Sequence, residues 1–82
     1  MLDVFARRLR AYRKLKHWTQ VELGKQVGVS VAVIGALERG TREPNEELLR
    51  SLCTVLTASE EELGIVRQQD GSLDFKSDSP SF

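Results

Sequence analysis

Thr19-Gln20-Val21-Glu22-Leu23-Gly24-Lys25-Gln26-Val27-Gly28-Val29-Ser30-Val31-Ala32-Val33-Ile34-Gly35-Ala36-Leu37-Glu38-Arg39-Gly40 is the stretch that decides the fold. It predicts two short helices meeting at a tight corner. Thr19 with Glu22 three residues on is a capping box, in which each side chain satisfies a backbone N–H near the other. Trp18 before the cap and Leu23 inside the helix are placed to close the matching hydrophobic staple. Gly28 ends the first helix, because glycine takes the left-handed conformation without steric cost. Ser30 caps the second helix, Val29 and Ile34 repeat the staple, and Gly40 stops the chain after Arg39.

On the N-terminal side, Leu2, Phe5, Leu9, Tyr12 and Leu15 recur at helical spacing and predict a first helix from about Asp3 to Lys16, with an arginine-rich opposite face. On the C-terminal side, Thr41-Arg42-Glu43-Pro44 reads as a turn and Asn45 as the cap of a fourth helix. Glu46 and Glu47 suit the positive end of that helix, and Leu48, Leu49, Leu52, Cys53 and Leu56 form its apolar stripe. A further capping box, Ser59 with Glu62, predicts a short fifth helix carrying Leu63. The expected architecture is therefore all-α: a compact five-helix domain over residues 1–66, then a polar, flexible tail over 67–82. Asp70-Gly71 and Ser79-Pro80 are turn signals in that tail. Against this, Ser72-Leu73-Asp74-Phe75-Lys76 alternates at period two, which would suit an added strand.

Composition excludes most chemistry. One cysteine and one histidine in 82 residues permit no internal disulfide and little material for a metal site or a triad, so neither enzyme nor cofactor is expected. His17 reads as a turn residue and Cys53 as a small apolar side chain. No apolar run approaches the roughly 18 residues of a membrane span, and the N-terminus lacks a signal-peptide core, so the chain reads as cytoplasmic. Net charge is zero but unevenly spread: nine basic against three acidic residues up to Arg42 give +6, and three against nine from Glu43 onward give −6. A basic half that coincides with the two-helix corner points to a polyanion.

Two short helices joined by a Gly-containing turn form a helix-turn-helix, whose second helix offers its N-terminal turn to the major groove. The stretch Thr19–Ser30, with Ile34, Leu37-Glu38-Arg39-Gly40 and Pro44, closely resembles the Cro and phage-repressor (XRE, lambda-repressor-like) family, over about Phe5 to Leu63. That resemblance implies a bacterial or phage-type transcriptional regulator, most simply a repressor, whose homodimer binds double-stranded DNA at a palindromic operator through a recognition helix at about 30–39. It implies phosphate contacts from Thr19, Gln20, Arg39, Thr41 and Arg42. It places Ser30, Val31, Ala32, Gly35 and Ala36 toward the bases, and Arg13 with Glu38 in a buried ion pair. It puts a small residue, usually alanine, at Gly24, and the dimer surface at Leu63, Ile65 and Val66. Val31, Ala32, Gly35 and Ala36 have no side-chain hydrogen-bonding group, where many relatives carry polar residues. Readout of thymine methyl groups with DNA deformability, readout by flanking polar groups such as Ser30 and Gln26, and a surface turned to another protein all remain open. The last of these defines the alternative function, a module that binds another regulator through its apolar third helix.

Overall fold

In the computed structural model, which describes residues 2–76, side-chain caps fix where three of the four helices begin. The Glu22 N–H donates to Thr19 Oγ1 at 3.0 Å and the Thr19 N–H to Glu22 Oε1 at 2.9 Å, opening α2 (Gln20–Val27). Here α1 is Asp3–Leu15, which starts at Leu2 without a side-chain cap. Ser30 caps α3 (Val31–Arg39), and Asn45 caps α4 (Glu46–Leu56) through a 2.8 Å bond from the Leu48 N–H. Gly28 and Gly40 stop α2 and α3 in the left-handed conformation, at φ 80° and 75°. Thr57 does the same for α4 at φ 53°, a costly position for a β-branched residue.

The four helices surround one core. Phe5 and Leu9 of α1, Leu23 of α2, Ile34 and Leu37 of α3, and Leu49 and Leu52 of α4 are all fully buried. α1 turns Val4, Phe5, Ala6 and Leu9 inward; Leu15, at the end of the expected stripe, is 73% exposed. Where α2 meets the α3 corner, a side-chain carbon at Gly24 would stand 2.6 Å from the Val29 carbonyl oxygen. The approach is tighter than the alanine usual in the resembled family permits, and glycine is the residue that fits it.

The C-terminal third departs from the all-α reading. The expected fifth helix is one hydrogen-bonded turn. Its capping box forms, with Ser59 N–H to Glu62 Oε1 at 2.9 Å and Glu62 N–H to Ser59 Oγ at 3.0 Å. Gly64, at φ 81° and against Val4, then swings the backbone into β1 (Ile65–Arg67). β1 pairs antiparallel with β2 (Leu73–Phe75), Ile65 opposite Phe75 and Arg67 opposite Leu73. Through Lys76, the stretch expected to be a flexible tail is thus a hairpin, and the break expected at 66/67 falls inside β1. The alternation of β2 half-buries Leu73 and Phe75, and the Phe75 ring meets Phe5 edge-on with centroids 5.7 Å apart. Residues 77–82, including the Ser79-Pro80 signal, lie outside the described residues.

Arg67 staples this hairpin to the helical body. Its guanidinium donates to Glu46 at the start of α4 (2.6 and 2.7 Å), to Glu60 (2.7 and 2.9 Å) and to the Gly71 carbonyl (3.3 Å). Among the described residues no helix is long and apolar enough to cross a membrane.

Candidate nucleic-acid interface

One carboxylate holds three helices at the corner. Arg13 on α1 donates through Nε to Glu38 Oε2 at 2.6 Å and through Nη2 to Oε1 at 3.0 Å, and its Nη1 donates to the Trp18 carbonyl at 2.8 Å. Gln20 Nε2 on α2 donates to the same Glu38 Oε1 at 3.1 Å. The Arg13 and Glu38 side chains are 11% and 3% exposed, so this fork is largely shielded from water. The Glu38 hydrogen bond holds the Arg13 guanidinium above its ordinary pKa. The fork sets the angle at which α2 presents its first turn beside α3.

The outward surface of α3 is apolar at its start and cationic at its end. Ser30, Val31 and Ala32 are exposed, Val31 at 45%, and Ala36 is half-buried. Gly35 lies on the same face but is buried, because other side chains lie across it. A side-chain carbon at Gly35 would stand 2.9 Å from Arg39 Nη1 and 3.9 Å from Gln20 Oε1. Arg39 therefore leans back one turn over Gly35, in the direction helical side chains favour. The Gln20 side chain borders the same position. The signal for this was a glycine four residues before an arginine, a spacing that puts both on one face.

The flanking groups divide into free ends and committed ones. Arg39 and Arg42 are exposed cations just past the helix. Thr41 Oγ1 donates to the Ala36 carbonyl at 3.2 Å, and Thr19 Oγ1 accepts the capping bond, so both hydroxyls serve the backbone. Gln20 keeps one amide hydrogen beyond its bond to Glu38. Far from this surface, Leu63 and Ile65 are 0% and 3% exposed and belong to the core of this chain. Of the three residues expected at a dimer surface, Val66 alone lies outside, at 40% exposure.

Comparisons with known proteins bear on the family and the fold. Residues 9–63 match the model of a family described as helix-turn-helix. A Bacillus subtilis (strain 168) protein described as an uncharacterized HTH-type transcriptional regulator, YazB, is 41% identical over 61 residues, which are 74% of this chain and 88% of YazB. Among solved structures, the P22 c2 repressor, in complex with synthetic operator 9T, superposes with a TM-score of 0.70 at 42% identity, over 72% of this chain and 89% of that one. The restriction-modification controller protein C.AhdI from Aeromonas hydrophila gives 0.70 at 32% identity, over 76% and 90%. The clp gene regulator ClgR from Corynebacterium glutamicum gives 0.70 at 35% identity; this chain covers 66% of it, and 76% of this chain is matched.

Proposed function

Since the chain belongs to the Cro- and phage-repressor-like helix-turn-helix family of DNA-binding transcription regulators, we propose that it binds a palindromic operator as a homodimer, with α3 in the major groove, and represses transcription there. The observation that carries this reading is the corner itself: a fork-locked α2–α3 pair with an outward α3 surface and exposed Arg39 and Arg42 beside it. The P22 c2 repressor, of similar architecture, has been crystallised on a synthetic operator. Val31, Ala32 and Ala36 meet thymine methyl groups. The N-terminal turn of α2, with Thr19 and Gln20, and the exposed Arg42 take the flanking phosphates. A module this small buries too little surface for tight specific binding alone, and pairing on half-sites about 34 Å apart is the usual remedy. Val66 and the exposed side of the hairpin are the surface for that pairing.

Selection of bound sequences from random duplex DNA, with sedimentation of the free and bound protein, tests the reading. An enriched inverted repeat bound by two copies is expected. If no duplex binds better than random DNA at physiological salt, operator binding is wrong, and the apolar start of α3 is then a docking face for another protein.

A further inference from the structure

The outward face of α3 contains one hydrogen-bonding group long enough to reach a base edge, and it comes from the far end of the helix. At about 100° per residue, Val31, Gly35, Ala32 and Ala36 spread over about 140° of the helix, and Arg39 projects near the middle of that arc. An arginine at the last position of a helix ordinarily serves the flank. Here the side chain lies back across Gly35, with Nη1 2.9 Å from where any β-carbon would stand. Any β-carbon at position 35 would therefore force the end of the guanidinium to shift from this place. The Gln20 side chain borders the same spot, and its amide is held in place by the 3.1 Å bond to Glu38. The guanidinium thus rests on a backbone platform with a fixed neighbour, level with the second turn of α3 and with Val31 and Ala32 exposed ahead of it.

We propose that Arg39 is a base-reading residue, which donates two parallel hydrogen bonds to O6 and N7 of one guanine in each half-site, and that Gly35 is the residue that makes this possible. A planar fork with five donors matches the two acceptors of guanine in the major groove, and no other side chain on this face offers a donor there. The proposal rests on the operator-binding reading above and sharpens it, since thymine methyl contacts alone distinguish few base pairs. It reassigns Arg39 from the phosphate contact that family resemblance implies.

The test compares the full chain with Arg39→Met and Gly35→Ala, each measured on the wild-type selected duplex and on duplexes carrying each other base pair at every position. Wild type is expected to require a G·C pair at one symmetric position per half-site, with a loss of about tenfold or more on substitution there. Both variants should flatten discrimination at that same position. Arg39→Met removes the donors; Gly35→Ala displaces them while keeping the charge and favouring the helix. Thermal melting of each variant separates a folding defect from a lost contact, and Arg39→Met, at an exposed position, remains readable if Gly35→Ala unfolds. Uniform weakening of all duplexes by Arg39→Met, with discrimination unchanged, means a phosphate contact and overturns the proposal. So does a wild-type site with no fixed guanine, or Gly35→Ala with undiminished preference at that position. Failure of wild type to select any sequence is a different result, and it sinks the operator-binding reading itself.

Discussion

Glu38 is the residue on which the corner turns, because its carboxylate is 3% exposed and accepts from both Arg13 and Gln20. Replacing it with alanine leaves the Arg13 guanidinium, 11% exposed, with only the Trp18 carbonyl as a partner. Stranding one member of a shielded pair costs roughly 3–5 kcal/mol, whereas an exposed carboxylate such as Glu61 contributes almost nothing. Glu38→Ala is therefore expected to lower the urea midpoint strongly and Glu61→Ala hardly at all. Equal small shifts would show that water already solvates the fork. At the same scale, Gly24 and Gly35 illustrate two uses of a missing side chain. The first lets the Val29 carbonyl approach α2, and the second clears a path for Arg39.

At the scale of elements, what is local was legible and what is long-range was not. Thr19 with Glu22, Ser30, Asn45 and the stopping glycines set helix ends within a few residues of their own positions, so the sequence displays them directly. Ser59 and Glu62 form their capping box as well, but a cap announces a beginning and carries no information about length, and Gly64 ends that turn almost at once. The hairpin was harder. Its strands are three residues each, and it meets the helical body where Phe75 contacts Phe5, which is 70 residues earlier in the chain. The exposed alternation in β2 was the visible trace of that contact. Phe75→Ala should accordingly cost about 1–3 kcal/mol in chemical denaturation, the range for removing a half-buried aromatic pair. No measurable change would mean the hairpin rests on the body without stabilising it. Arg67 gives the same junction a pH dependence. Its hydrogen bonds to Glu46 hold that carboxyl below its usual pKa, so the pair stabilises the fold above the unfolded value of about 4.3. That contribution is lost as pH falls through the lower folded value. The stability gap between wild type and Arg67→Met should thus be level from pH 7 to 5 and narrow below about pH 4. A gap unchanged down to pH 3 would show that Glu46 titrates independently of Arg67.

At the scale of the whole molecule, the zero net charge conceals a dipole, +6 over the first 42 residues and −6 over the rest. The acidic half is partly spent internally, with Glu46 and Glu60 both on Arg67, while Arg39 and Arg42 stand exposed beside α3. Exposed cations beside α3 attract a polyanion locally although the sum of the charges offers no attraction. Salt dependence then reports both the contacts and the number of subunits. Each phosphate neutralised contributes about 0.9 to the slope of log K against log salt on duplex DNA. Arg42→Ala removes one such contact per chain. It should therefore lower the slope by about 0.9 if one copy binds, and by about 1.8 if two copies bind together. The homodimer reading requires the larger value, measured by fluorescence anisotropy on the selected operator from 50 to 300 mM salt. Lys16→Ala, an exposed cation that donates to Thr57 at the end of α4, should leave the slope where it was. A slope change near 0.9 with tight specific binding would mean that one chain suffices and that the two-fold operator is wrong. An equal response to Lys16→Ala would mean that the field of the whole basic complement, rather than a docked corner, holds the DNA.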